Sequence, residues 1–207
     1  MINKSNIGGV ILAGGRGSRM RNPDKPLIRL HNRPLIDYVF ENARTQVSDL
    51  VLSVNHNPQK YRFLQLPIVH DLSNKYSGPL TGIHSAMQWF DSQQPQTEIS
   101  YIACFAADVP SFPMNLVGVL ADALLESGSS VAFSRNEKQL QPLFSLWSLD
   151  TLPVVKEALS AGIYGPKLLM PKLNHIVVDF EQSDAGDFLN INTMDALQSA
   201  KLIIREK

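Results

Sequence analysis

The stretch "GGVILAGGRGSRMRNPDKPL", Gly8 to Leu27, decides how the rest of the chain is read. It places five glycines, three arginines and a lysine in and behind a short apolar run. Val10 to Ala13 has the length and apolarity of a buried strand, and glycines after a strand let backbone N–H groups close on phosphate oxygens. Arg19 and Lys25 add charge that backbone dipoles alone do not supply. A Walker A loop needs a glycine before Lys-Ser or Lys-Thr, and this stretch has neither pair. A dinucleotide fingerprint needs a third glycine where Met20 stands, so Gly15 to Met20 fills it only in part. A loop this cationic suits a triphosphate.

Working outward, strand-length apolar runs alternate with segments of helical period. "RPLIDYVFENARTQV" repeats Leu35, Val39, Ala43 and Val47 every fourth residue, with Pro34 suited to the first turn. "LVLSV" (Leu50 to Val54) and "LPIVHD", ending at Asp71, read as strands, "GPLTGIHSAMQWF" as a loop entering a helix, and "ISYIACFAA" as the longest buried strand. "PMNLVGVLADALLE" is helical, with Leu116, Leu120, Ala123 and Leu124 along one side. "SVAFSR" and "PLFSLW" flank the polar turn "NEKQLQ", the pattern of antiparallel strands added to a main sheet. Helices around "TLPVVKEALSAG" and "GPKLLMPK", a strand "HIVVDF" and a helix from Met194 complete the chain. The expected architecture is α/β: one Rossmann-like domain over 1–207, a mostly parallel sheet with helices on both faces and an antiparallel addition.

Composition narrows the partners. Nineteen basic and nineteen acidic residues leave no net charge, which removes the wide electrostatic footprint of a nucleic-acid or anionic-membrane binder while leaving room for a small anionic ligand. No apolar run approaches the roughly 18 residues of a membrane span, and the polar opening Met1 to Asn6 is unlike a signal peptide, so the cytoplasm is expected. The lone Cys104 reads as a small core residue, and the five histidines lack metal-ligand spacing.

Leu12-Ala13-Gly14-Gly15, then Arg19-Met20, then Asp24-Lys25-Pro26-Leu27, resembles the L-A-G-G-x-x-x-R-M-x-x-x-D-K-x-L signature of nucleotidyltransferases, most of all the molybdenum cofactor guanylyltransferases. "GPLTGI" (Gly78 to Ile83), "AADVPSFP", "QPLFSLW" and "DFLNINTMDAL" resemble further segments of that family, in order, so the resemblance spans nearly the whole chain. Departures fall at Arg21, where the family carries glycine, followed here by Asn22 and Pro23; at Gln141 in place of histidine; and at Met194 and Asp195 in place of proline and glutamate. The resemblance implies a nucleotidyltransferase fold and attack by a phosphorylated acceptor on the α-phosphorus of a nucleoside triphosphate. It implies GTP over CTP, since cytidylyl-transferring relatives tend to carry T-A-A-G. It further implies molybdopterin as acceptor, Mg²⁺ as cofactor, and a molybdoenzyme or chaperone as recipient. Transfer of another nucleotide or to another acceptor, as in cytidylyl transfer to molybdopterin or uridylyl transfer to a sugar phosphate, and non-catalytic GTP binding for cofactor delivery are the competing readings.

Asp108 follows the buried strand at the carboxyl edge of the sheet, where open α/β sheets bind ligands, and its hard carboxylate suits Mg²⁺. An Asp before Val-Pro also suits a turn or helix cap; the family's aspartate at this point implies the metal ligand. Asn190 and Asn192 alternate around Ile191, so extended backbone turns both to one side. They suit contact with the acceptor or the metal's water shell, while Asn192 or Thr193 also suits capping of the last helix. Asp71 matches a position that contacts nucleotide in the family, and is equally placed for a surface turn. The resemblance thus implies nucleotide contacts from Leu12, Ala13, Gly14, Gly15, Lys25, Asp71 and Asp108, with Arg19, Lys25 and Asp108 carrying the catalysis.

Overall fold

The strands, in chain order, are β1 (Ile7–Leu12), β2 (Arg29–Leu30), β3 (Arg33–Pro34), β4 (Asp49–Ser53), β5 (Ile68–Val69), β6 (Tyr101–Ala106), β7 (Val131–Asn136), β8 (Gln139–Ser148) and β9 (His175–Asp179). The helices are α1 (Leu35–Gln46), α2 (Pro79–Ser92), α3 (Leu116–Ser127), α4 (Leu152–Ser160), α5 (Pro166–Leu169) and α6 (Met194–Ile203). This computed structural model describes residues 1–14, 24–70, 78–94, 96–180, 184 and 186–204.

Period-two alternation along the strands sorts the core into two layers. Ile7 and Ile11 of β1, Leu50 and Leu52 of β4 and Ala103 and Phe105 of β6 pack with α1 and α3 on one face. Val10, Val51, Ile102 and Cys104 point the other way, into α2 and α4. Cys104 is fully buried, which pushes its thiol up to about 12 and leaves it an inert core residue, as expected from sequence. A third cluster joins Leu30, Leu35 and Tyr38 to Ile191, Leu197 and Ala200, docking α6 beside the small β2–β3 ribbon. No helix among the described residues is long and apolar enough to cross a membrane.

The seven main strands run in the order β5-β4-β1-β6-β8-β7-β9. Only β8 is antiparallel to its neighbours; β7 and β9 pair parallel with each other. The antiparallel addition is therefore one strand inserted between β6 and β7. The turn is also shorter than the polar "NEKQLQ" suggests: Arg135 pairs with Leu140 and Asn136 with Gln139, leaving Glu137 and Lys138 to turn the chain. Both take positive φ (46° and 68°), as a two-residue hairpin matched to the sheet's twist requires. Polar side chains on an exposed hairpin do not prevent its backbone from pairing. Pro34 caps α1 from outside its first turn, in extended conformation, and the buried side of α3 runs through Val117 and Ala121 where the sequence suggested Ala123.

The chain runs from β1 out to β4 and β5, then returns through α2 to β6 on the opposite side of β1. β1 and β6 thus flank the point where the winding reverses, and open α/β sheets bind ligands at the carboxyl ends of such strands.

Candidate active site

Residues far apart in sequence meet at that point. Lys25 begins a 3₁₀ turn, Lys25–Leu27, and the residue before it is tied down: Asp24 accepts from Nδ2 of Asn57 at 3.1 Å and from Nζ of Lys60. The Lys60 ammonium, with help from the Asn57 amide, holds the Asp24 carboxyl below its usual range. Asp24 thereby ties the start of the Lys25 turn to the 3₁₀ segment Pro58–Leu64 that follows β4, and Lys25 turns inward. It is only 6% exposed, so its ammonium must be paired. Its Nζ donates to Oδ2 of Asp108 at 2.5 Å, to Oδ1 of Asn190 at 3.0 Å and to Oδ1 of Asn192. An ammonium has three N–H groups, and these three protein oxygens account for all of them.

Asp108 lies two residues past β6 with its side chain 26% exposed. Backbone bonds clip the asparagine segment to it: Ile191 N–H donates to the Asp108 carbonyl at 3.2 Å, and Phe188 N–H to the Ser111 carbonyl at 2.9 Å. Ser111 Oγ donates to Asp187 Oδ1 at 2.5 Å, and burial raises the Asp187 carboxyl above its usual range. The alternation expected around Ile191 is realised: its side chain is fully buried beneath α6, while Asn190 and Asn192 both reach Lys25. Thr193 caps α6, its hydroxyl accepting from Ala196 N–H at 3.1 Å, which leaves Asn192 for the site.

Leu12, Ala13 and Gly14 leave β1 between the two neighbouring strand ends: Ala13 N–H donates to Ser53 O at 2.8 Å and Ala107 N–H to Leu12 O at 3.2 Å. A Cβ built on Gly14 would sit 3.3 Å from Nδ2 of Asn55. Asn55, just past β4, therefore lines the same edge. Sequence reasoning passed over it, although its place after "LVLSV" was the available signal. The "GPLTG" segment works by close approach. Gly78 has φ of 99° and its missing Cβ admits the Tyr164 carbonyl, which also accepts from Leu80 N–H at 3.0 Å. Gly82 brings α2 against β1 and β4, since a Cβ there would lie 2.5 Å from Ser53 Oγ and 2.9 Å from Leu12 Cδ2. Gly15, Arg19 and Asp71 lie outside the described residues, as do Arg21 to Pro23.

Among the described residues no group of three His, Cys, Asp or Glu side chains gathers, so any cation here would rest on few protein ligands. The hard donor offered to a cation is the Asp108 carboxylate, of which Lys25 engages Oδ2. That fits Mg²⁺, which takes one or two carboxylates and completes its shell with water and substrate phosphates. A cationic side chain, a carboxylate and two amides at a sheet switch point suit the handling of anionic substrates.

The chain matches known proteins along most of its length. The model of the "MobA-like NTP transferase domain" matches residues 9–175. A molybdenum cofactor guanylyltransferase of Pasteurella multocida is 30% identical over 190 residues, 92% of this chain and 96% of that protein. One of Bordetella pertussis is 31% identical over 202 residues, 96% of this chain and 98% of that protein. In structure, molybdopterin-guanine dinucleotide biosynthesis protein A from Archaeoglobus fulgidus superposes with a TM-score of 0.75 at 21% identity, covering 95% of this chain and 97% of its own. The fold is that of the nucleotidyltransferases, and the chain belongs to the MobA-like NTP transferase family.

Proposed function

We propose that this chain transfers GMP from GTP to molybdenum-bound molybdopterin, yielding molybdopterin guanine dinucleotide and pyrophosphate. The observation that carries the reaction class is the convergence of Lys25, Asp108, Asn190 and Asn192 at the carboxyl ends of β1 and β6. The choice of substrates is supported by relatives about a third identical over nine-tenths of both chains, all named molybdenum cofactor guanylyltransferase.

A phosphate oxygen of the acceptor attacks the α-phosphorus of GTP. A P–O bond forms there, the bond to the β-bridging oxygen breaks, and pyrophosphate leaves with that electron pair. Both partners are anions, so positioning and charge neutralisation carry the step and no covalent protein nucleophile is needed. Leu12 to Gly15 offer backbone groups to the nucleotide, with Asp71 as a further contact. Arg19 and Lys25 neutralise the triphosphate, Lys25 by its field while its three N–H groups remain on protein oxygens. Asp108 would hold Mg²⁺, which supplies a Lewis acid against the phosphate charge. Asn190 and Asn192 receive the acceptor. In this reading residues 1–207 act as one domain in the cytoplasm and pass the product to a molybdoenzyme or its chaperone.

The test is the ratio of kcat/KM for GTP and CTP with the same molybdopterin acceptor. GTP is expected well ahead, because polar groups matched to guanine are left unpaired by cytosine. Leu12→Thr with Gly14→Ala is expected to narrow the ratio, the new Cβ crowding Asn55. Preference for CTP, or turnover only with a sugar phosphate, overturns the guanylyl reading. GTP binding without pyrophosphate release makes the chain a delivery protein.

A further inference from the structure

The loop before α6 begins with a turn whose residues are tied to different elements. Gly186 has φ of 98°, and a Cβ there would lie 2.8 Å from Cγ2 of Ile203 on α6. Asp187 accepts from Ser111 Oγ. Leu189 N–H closes the turn on the Gly186 carbonyl at 3.2 Å, and Phe188, the third residue of that turn, takes φ of 58°. A left-handed third position favours glycine, and a bulky side chain held there strains the backbone. Such strain persists only where the surroundings over-determine it, and it gathers at sites that need a fixed geometry. Here the surroundings are aromatic. The Phe188 ring, 5% exposed, meets Phe144 of β8 edge-on with 5.2 Å between centroids, and Phe180 at 5.8 Å. From Phe144 the rings continue to Phe112 and then to Phe105 of β6, which carries the chain to Asp108.

From Phe188 the chain runs antiparallel beside the segment that follows β6: Phe188 N–H meets the Ser111 carbonyl at 2.9 Å and Ile191 N–H the Asp108 carbonyl at 3.2 Å. This register decides which side chains the site receives. Asn190 and Asn192 reach Lys25 while Ile191 goes under α6, and a slip of one residue exchanges the two sets, turning Ile191 onto the buried ammonium and a carboxamide into the core. The backbone bonds alone do not oppose a slip, since each of these residues carries the same N–H and C=O. A ring that fits one place does. We propose that Phe188 is a positioning residue for the transfer: pinned between Phe144 and Phe180, it sets the register at which the loop before α6 meets the Asp108 segment, and so assembles the cluster around Lys25. The reaction that the cluster serves rests on the guanylyl-transfer reading; the register stands apart from it.

Phe188→Leu keeps an apolar side chain and loses the ring. Its kcat is expected to fall about tenfold to a hundredfold, the size a misplacement of about 1 Å reaches, with Kd for GTP within about threefold of the parent. Phe133→Leu is the comparison: it truncates a fully buried ring in the other core layer, edge-on to Trp147, and is expected to lose stability while keeping kcat within about twofold. A ring that merely fills the core predicts the same for both variants, so a kcat for Phe188→Leu within about twofold of the parent, measured well below its melting temperature, overturns the proposal. The second measurement needs no substrate. In the ligand-free protein, hydrogen exchange at Ile191 N–H is expected to quicken at least about tenfold more in Phe188→Leu than exchange at the β6 amides, the mark of local opening and not of lower global stability. Ile191 exchange that rises no more than that of β6 also overturns it. Should Phe188→Leu fail to fold, Phe180→Leu, which leaves Phe188 in place and removes one of the rings holding it, decides by the same two readings. Parent protein that releases no pyrophosphate from GTP with molybdopterin fails the guanylyl reading instead, and the exchange measurement then decides the register alone.

Discussion

At the scale of single residues, Asp108 and Asp24 show one side-chain type doing two jobs. Asp108 faces the site with one oxygen on Lys25, so Asp108→Asn retains an oxygen for the ammonium and removes the charge a metal requires. Turnover is expected to fall at least about a hundredfold, roughly 2.7 kcal/mol of barrier, with the melting temperature little changed. Magnesium-dependent pyrophosphate release measures it, and a loss under about tenfold removes Asp108 as principal ligand. Asp24 anchors the Lys25 turn from outside, through Lys60 and Asn57. Its carboxyl lies below the ordinary 3.8 in the folded protein, so its contribution to stability is present above that value and is lost as the pH falls through the lower folded value. Asp24→Asn should therefore be less stable than the parent at neutral pH, with the gap closing in acid below 3.8. Urea midpoints across that range check it; a gap independent of pH shows that the ion pair is not what holds the Lys25 turn.

At the scale of elements, the position of the nucleotide edge depends on how closely α2 approaches β1 and β4. Gly82 is the point of contact, and an added methyl would meet Ser53 Oγ and Leu12 Cδ2 well inside normal contact distance. Gly82→Ala is expected to cost about 1–3 kcal/mol of stability, the usual range for overpacking, and to raise KM for GTP because Leu12 must move. Chemical denaturation and GTP kinetics measure the two effects separately. Full stability with unchanged KM shows that the helix relaxes without disturbing the strand end. Here a glycine inside a helix, ordinarily a cost in backbone entropy, is retained for packing.

For the whole molecule, the site exists only when β1, β6, the Lys25 turn and the α6 loop are assembled, so a ligand of that site binds the folded chain alone. GTP with Mg²⁺ at about a hundred times its Kd is expected to add about 2.7 kcal/mol, which for a chain of this size raises the melting temperature roughly 5–10 °C. CTP at the same concentration should raise it less. Equal protection by the two nucleotides contradicts the expected base preference while leaving the fold untouched.

The sequence by itself determined the α/β class, the order of the main strands and helices, the strand-to-glycine-loop start and the four converging side chains as candidates, because these rest on local signals. Apolar alternation reports which residues face a core, and Asp108 was visible as the residue that ends a buried run. The pairing of Asn190 with Asn192 followed from period two alone. Only the tertiary structure decided what these residues do to one another. Lys25 lies 83 residues from Asp108 and 167 from Asn192, and no spacing in the chain announces that one buried ammonium spends all three of its donors on them. The insertion of β8 between β6 and β7, the anchoring of Asp24 by Lys60, and the place of Asn55 against Gly14 were likewise settled by contacts between distant segments. A sequence records the periodicity that buries a face; which distant partner that face brings within hydrogen-bond reach depends on the packing of all the others.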